Sequence, residues 1–496
     1  MKKELNIWRR VRRILAVLFF TAINLLFLDV TGALHAWLGW MAKLQFVPAV
    51  LASNILAVAL VLVMTLLFGR VYCSVICPLG VYQDGIVWFS GKFTKKKLRY
   101  TYKPERKWPR YIILTLFVLA LIFGCTLFPA LIEPYSAYGR IASNLWAPLY
   151  RWGNNVLAFF AERVNSYAFY GTDVWLKSLP VLIVALLTWI ILTFLAWKRG
   201  RAYCNTICPV GSFLGLISRF AIFKPAINTD KCVNCTVCAK KCKAYCIDFK
   251  NHKIDYSRCL ACMDCLDNCS SHAIELTPIW KIPKNHKVDK SRRNFVAVSA
   301  MVAASTTLKA DEKKVDGGLA AIENKKVPER ATHILPPGAW NINHFKDHCT
   351  GCQLCVASCP NDVLRPSTKL DMFMKPEMSY ERGYCRPECN TCSQVCPVGA
   401  IQPITREDKA SLRVGHAVWL KENCLLTEGE HCGSCVRHCP AGALSMVRID
   451  KNDPHSPRMI AVNAELCIGC GACENLCPVR PLSAIYVEGH TIQSLK

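Results

Sequence analysis

The chain has 496 residues, 30 of them cysteine, with 52% hydrophobic residues and a formal net charge of +26. That length excludes a small disulfide-stapled scaffold, and that apolar content excludes a purely soluble protein. Much of the base lies in short loops beside apolar runs, where it orients a membrane protein, so no nucleic-acid partner is expected.

Residues 1–13 carry Lys2, Lys3, Arg9, Arg10, Arg12 and Arg13 against Glu4, and an apolar run follows from Ile14 to Leu28. A signal peptide would suit that length, but no small-residue cleavage site follows. Further runs span Ala49–Phe68, Tyr111–Phe128 and Leu179–Trp197. Stretches of about 20 apolar residues cross a hydrocarbon core as helices, so four transmembrane helices are expected within residues 1–220. Between the second and third runs lie Arg70, Lys92, Lys95, Lys96, Lys97, Arg99, Lys103, Arg106, Lys107 and Arg110; between the first and second there is only Lys43. The basic side is the cytoplasmic side, so residues 1–13 and the chain beyond the fourth run both face inward. Trp37, Trp40, Trp146, Trp152 and Trp175 fall on the opposite face as an interfacial belt, with 144–177 lying along it as amphipathic helix.

A repeat stands after the second and fourth runs: Tyr72-Cys73-Ser74-Val75-Ile76-Cys77-Pro78-Leu79-Gly80 and Tyr203-Cys204-Asn205-Thr206-Ile207-Cys208-Pro209-Val210-Gly211. Two copies of one helix-hairpin unit would set Cys73, Cys77, Cys204 and Cys208 facing each other near the inner surface. Three readings stand open: a metal or cluster site, a redox thiol set, or buried packing. Cys125, alone among apolar neighbours inside the third run, reads as packing.

Residues 225–280 hold two quartets, Cys232, Cys235, Cys238, Cys242 and Cys259, Cys262, Cys265, Cys269. The C-x2-C-x2-C-x3-C spacing is the ligand pattern of [4Fe–4S] clusters, whose fourth cysteine crosses to the neighbouring cluster. Cys232, Cys235, Cys238 and Cys269 therefore form one site, and Cys259, Cys262, Cys265 and Cys242 the other, leaving Cys246 as a spare thiol. Zinc prefers separated C-x2-C pairs. Each such cluster carries about −2 with its thiolates, so six of them would offset ~12 of the positive charges.

Residues 288–345 contain Ser291-Arg292-Arg293-Asn294-Phe295-Val296 before a mild apolar run, which reads as an internal twin-arginine export signal, and then a polar linker. Residues 346–490 hold four more quartets. Cys349, Cys352, Cys355, Cys359 and Cys467, Cys470, Cys473, Cys477 keep the regular spacing; Cys385, Cys389, Cys392, Cys396 has one extra residue in its first gap, and Cys424, Cys432, Cys435, Cys439 has seven residues there. Proline follows the last cysteine of each, suited to a first helical turn. The fold class expected is thus a four-helix membrane domain followed by α+β modules of the bacterial ferredoxin type.

With both C-x3-C-P motifs, Pro134, Ser136, Gly139-Arg140 and the two-cluster module, the first 280 residues resemble NapH, the membrane polyferredoxin of periplasmic nitrate reductase systems. Residues 291–490, with Pro336-Pro337-Gly338 and the wide Cys424–Cys432 gap, resemble its exported partner NapG, so the chain is similar to a NapH–NapG fusion. Related ferredoxins serve nitrous-oxide, methylamine and cytochrome-oxidase assembly systems. The resemblance implies six [4Fe–4S] clusters in a bacterial inner-membrane protein, with 225–290 cytoplasmic and 346–490 periplasmic. It implies that outer quartets pair (Cys349, Cys352, Cys355 with Cys477; Cys467, Cys470, Cys473 with Cys359) and inner quartets pair (Cys385, Cys389, Cys392 with Cys439; Cys424, Cys432, Cys435 with Cys396).

The function expected is electron transfer from membrane quinol or a cytoplasmic donor to a respiratory reductase, as a component rather than a stand-alone enzyme. Glu133, Asp29 and His35 are candidate polar groups for quinol, though a solvated interfacial side chain is the more ordinary reading of each. A different class also fits: a metal-ion reductase or assembly factor working through Cys73, Cys77, Cys204 and Cys208.

Overall fold

The computed structural model describes residues 2–29, 32–93, 100–105, 107–166, 168–281, 314–315, 321–322, 324–427, 429–450, 456 and 458–495. The twin-arginine segment at 291–308 lies outside the described residues.

The helical body is built on α1 (Lys2–Leu28), α2 (Ile55–Phe68), α5 (Lys107–Ile122) and α8 (Leu179–Arg199). The connecting helices are α3 (Val71–Val75), α4 (Pro78–Phe93), α6 (Pro134–Ile141), α7 (Ala147–Arg163), α9 (Ala202–Thr206) and α10 (Pro209–Ser218). Two of these helices, over Ile7–Leu28 and Leu179–Arg199, are long and apolar enough to cross a membrane. The other two expected spans come out shorter. The run 49–68 is broken after Leu51, where Ser53 takes a left-handed φ of 52° and the Asn54 side chain caps the new helix through the Ala57 N–H. The run 111–128 stops at Ile122, because Gly124 turns the chain at φ 68°. At 1.5 Å per residue α2 and α5 measure about 21 and 24 Å, short of a ~30 Å hydrocarbon core. Cys125 is therefore outside the helix, in the turn, and exposed rather than packed.

Each of the four long helices has one end on each of two ferredoxin modules. In α1, Arg9 pairs with Asp264 at 3.0 Å, while His35, just past the other end, meets Ser358 at 3.4 Å. In α2, the Leu66 carbonyl accepts from Ile222 and Phe68 stacks on Phe223, while Ala52 lies against Gly399. In α5, Arg110 bonds Ser257, and Thr126 beyond the far end bonds the Lys346 carbonyl at 2.9 Å. In α8, the Arg201 N–H reaches the Lys243 carbonyl, and Lys177 ahead of the first turn reaches Val356 at 2.8 Å. The helices thus alternate in direction between the modules. From Arg9 to Asp29 along α1 is about 30 Å.

The near module, 223–278, is closed by antiparallel strands β1 (Phe223–Ile227) and β2 (Ile274–Pro278), with Pro225 opposite Leu276. The far domain is closed by β3 (Leu412–Trp419) and β4 (Ile485–Leu495), Val487 opposite Ala417. Two shorter hairpins, Leu364–Pro366 with Pro376–Met378 and Leu444–Arg448 with Arg458–Val462, sit within it. These are small ferredoxin-like α+β units. Part of the expected linker belongs to this domain: Ile334, Leu335 and Ala339 are buried, and Asn341 bridges Ile492. Apolar side chains around the body remain exposed, among them Ile55, Leu56, Ile112, Leu187 and Ile191.

Candidate iron–sulfur sites

The local backbone of the ligand loops is specialised. In every quartet with regular spacing, the second cysteine sits between two residues of left-handed φ: Asn234 and Thr236, Ala261 and Met263, Gly351 and Gln353, Gly469 and Gly471. That alternation turns successive N–H groups toward one centre, a nest for an anionic group. Non-glycine residues adopt it at some cost, which a bound ligand can offset. The fourth cysteine of several quartets accepts a backbone N–H from beyond its own turn. Cys269 takes one from Ala273 at 3.3 Å, Cys396 from Ile401 at 3.5 Å and Cys439 from Ala443 at 3.3 Å.

The fold gathers six sets of four thiols. In the near module Cys232, Cys235, Cys238 and Cys269 line one pocket. Cys265 faces Cys259, Cys262 and Cys242. Both follow the crossing expected from sequence. Cys246 is not merely spare: it is buried, 3.5 Å from the Cys242 sulfur and beside Cys259.

The far domain corrects the expected pairing. Cys349, Cys352 and Cys355 face Cys396, while Cys385 and Cys392 face Cys359. Cys424, Cys432, Cys435 and Cys477 line one pocket, and Cys439, Cys467, Cys470 and Cys473 another. Consecutive quartets pair, first with second and third with fourth, not outer with outer and inner with inner. The reason is the connection. Each hairpin, 364–378 and 444–462, returns the chain so that Leu354–Ala357 packs on Thr391–Val395 and Ser434–Arg437 on Ala472–Leu476. The far domain is therefore two two-site ferredoxin units in tandem, joined by β3 and β4.

Donor type, spacing and the nests of backbone N–H groups fit [4Fe–4S] groups. As free thiols, Cys238, Cys385 and Cys435 are pushed up to about 11 by burial, and Cys349 and Cys470 to about 12. Buried thiols of that kind stay protonated at neutral pH, so metal must displace the proton. Among the described residues no three Cys, His, Asp or Glu converge to the spacing of a single metal ion. A cubane, whose corners stand farther apart, does not ask for that spacing.

The sets follow one another through the chain's contacts. Cys259 lies within reach of Arg70 at the Cys73 motif. Across the body, Glu133 and Tyr135 of the α6 entry face Cys352, and a Cβ on Gly139 would strike the Cys352 carbonyl oxygen. Beyond that, the Cys385 N–H bonds the Cys470 carbonyl at 2.9 Å, linking the two tandem units.

Cys73, Cys77, Cys204 and Cys208 are brought together, each about 4–5% exposed. The repeat begins earlier than the sequence reading put it, at Arg70 and Arg201. Each arginine crosses to the other copy: Arg70 donates to the Cys204 carbonyl at 2.9 Å and Arg201 to the Cys73 carbonyl at 3.1 Å. Each also reaches the sulfur of its own copy, at 3.8 and 3.6 Å. The motif glycine follows from this crossing, since a Cβ on Gly80 would lie 2.7 Å from Arg201 and one on Gly211 2.6 Å from Arg70. The signal was present in sequence as R-x-Y-C in both copies.

Of the three candidate quinol groups, Glu133 and Asp29 are buried and cap helix N-termini, and His35 is half-buried against Asp29. Glu133 caps α6 through the N–H groups of Tyr135 and Ser136. Asp29 accepts from the N–H of Gly32, Leu34 and His35, and from the His35 ring at 3.2 Å. None is the solvated interfacial side chain that the sequence suggested.

The nests, crossed thiols and small antiparallel sheets define an iron–sulfur protein of ferredoxin type. A 4Fe-4S dicluster domain model matches residues 348–400 and 430–480, one for each tandem unit, and a 4Fe-4S binding domain model matches 50–96, 180–228 and 392–409. The ferredoxin-type protein NapG of Escherichia coli (strain K12) is 32% identical over 207 residues, covering 36% of this chain and 87% of NapG. The methylamine utilization ferredoxin-type protein MauM of Methylophilus methylotrophus is 34% identical over 172 residues, covering 32% and 72%. NapF of E. coli K12 is 28% identical over 178 residues, covering 36% and 99%. No solved structure matches. The chain belongs to the family of ferredoxin-type proteins that includes NapG, NapF and MauM, and is an electron-transfer protein of that type.

Proposed function

We propose that the chain is a multi-pass polyferredoxin of the bacterial inner membrane, joining a NapH-like half to a NapG-like half. It carries electrons from membrane quinol or a cytoplasmic donor to a respiratory reductase on the far side. One observation carries this reading: all four long helices run from one ferredoxin module to the other, with the thiol sets in single file between the two ends.

Bound [4Fe–4S] clusters supply one-electron chemistry. The chain's own residues hold and space them. The Cys232 and Cys259 sets stand at the near end; the Cys349, Cys385, Cys467 and Cys424 sets follow at the far end, in that order. Cys73, Cys77, Cys204 and Cys208 stand between as a relay. The exposed apolar side chains of α1, α2, α5 and α8 supply a lipid-facing belt, and the short helices Phe46–Leu51 and Leu127–Ile132 pack back toward Tyr72 and Tyr203. Exposed Trp37 and Trp152 stand beside His35 and Arg151, which reach Ser358 and Asp362 at the far end, as interfacial anchors would. Burial of the four relay thiols works against the metal-ion reductase reading, which needs them open to a metal substrate.

Two experiments test the reading. A reporter fused after Lys496 should be active outside the cytoplasm. Anaerobic protein mixed with menaquinol, or with a reduced cytoplasmic ferredoxin, should show cluster reduction by at least one of them. A reporter active only in the cytoplasm would overturn the crossing.

A further inference from the structure

We propose that Cys73, Cys77, Cys204 and Cys208 together ligate one further [4Fe–4S] cluster, two thiolates from each half of the helical body. This rests on the electron-path reading and names the group at its midpoint. Without a redox group there, the near and far sets would face each other across a body whose long helices measure about 21 Å or more, and tunnelling falls steeply with distance.

Three independent features point to an anionic cluster. The first is charge. Arg70 is fully buried, and its acceptors are Asn205 at 2.7 Å, the Ser257 and Cys204 carbonyls and the Cys73 sulfur, with no carboxylate among them. Arg201 has Asp84, but Lys243 and Arg12 share that same carboxylate. Burying such a cation without a counter-charge is costly. Four thiolates on an oxidised cubane bring about −2.

The second is unpaired donors. Among the described residues Arg70 Nε, Arg201 Nη2 and Gln83 Nε2 are buried with no partner, and the Gln83 amide touches the Cys204 sulfur at 3.6 Å through its oxygen. Buried donors are rarely left unpaired, and the sulfide corners of a cluster would accept from them. The third is spacing. Two sulfurs on one tetrahedral ion with bonds of ~2.3 Å stand about 3.8 Å apart. Among the described residues no three of these thiols converge to that spacing, and all four are free. Neither a single ion nor a disulfide suits that arrangement, whereas the corners of a cubane do, as in the six ferredoxin sets. In turnover the Cys259 set is oxidised by one electron and the midpoint cluster reduced by one. With the clusters bound it would pass that electron on to the Cys352 set, with no bond made and no proton moved.

The test uses the full chain, purified anaerobically and reconstituted into vesicles. Seven sets of four predict about 28 irons and as many labile sulfides per chain, against about 24 for six. Cys77→Ala with Cys208→Ala should lose about four irons and abolish reduction of the far sets by a reductant confined to the near side. Arg70→Gln, which keeps all four thiols, should keep about 28 irons and shift the potential of one cluster. Wild-type iron near 24 overturns the cluster, and settles it even where the double variant does not fold. Iron near 24 with transfer lost in the variant leaves the path standing on thiols alone. Iron near 28 that falls by four with transfer unchanged leaves the cluster and overturns its place on the path.

Discussion

Replacing Cys396 by alanine should damage the set of Cys349, Cys352 and Cys355, not the set of its own quartet. The structure gives a magnitude. Cys349→Ala with Cys396→Ala strikes one set of four, so the pair should lose about four irons relative to the unaltered chain. Cys385→Ala with Cys396→Ala strikes two sets, since Cys385 belongs with Cys359, and should lose about eight. Cys424→Ala with Cys396→Ala should likewise lose about eight, because the Cys424 cavity is closed by Cys477. Residues sharing one site show non-additive losses and residues in separate sites add. Iron and labile sulfide on anaerobic protein read this directly. If Cys424 and Cys396 proved the sub-additive pair, inner pairing would hold and the tandem arrangement would be refuted. If Cys385 and Cys396 did, no crossing would occur.

Arg330 pairs with Glu474 at 2.5 Å, both side chains under 10% exposed, and Glu474 also accepts from Val487. Arg330→Met leaves that carboxylate buried and unpaired, so the far domain should lose about 3–5 kcal/mol, seen as earlier cluster bleaching in denaturant. His333 lies between Glu377 at 2.8 Å and Asp371 at 3.2 Å, and the Glu377 hydrogen bond raises its pKa above 6.5. Its stabilisation is full below pH about 6.5 and is lost as pH rises through the raised value; Glu377, held low, withdraws its own part in acid. The melting advantage of wild type over His333→Gln should therefore be largest in mildly acidic buffer and shrink as pH is raised. Gly139→Ala should keep its iron yet slow reduction of the far sets, because the added methyl pushes Cys352 away from α6; unchanged kinetics would show that this contact does not carry the path.

The ligands were legible because cysteine spacing is a local property, and in the near module a local rule also gave the crossing of Cys242 and Cys269. The far pairing was not legible, because it depends on where the hairpins 364–378 and 444–462 send the chain. Glu133 and Asp29 looked like interfacial carboxylates by position, and only the fold shows them turned inward onto helix N-termini. Arg70 reads in sequence as one of the loop charges that orient a membrane protein, and nothing local sets Arg201 apart from the bases around it. Their crossing into each other's motif is a tertiary fact, though the repeated R-x-Y-C and its glycine carried the trace. Helix breaks at Ser53 and Gly124 were hidden within runs whose average hydropathy is high.

The central claim is that electrons pass through the body from one module to the other. Vesicles holding the full chain, with Cys235 and the near module outward, can be mixed with a membrane-impermeant reductant while EPR and visible bleaching follow the clusters. Near clusters should reduce first and the far four after them, to completion, with the vesicles intact. Reduction that stops at the near module until the vesicles are opened with detergent would contradict the account.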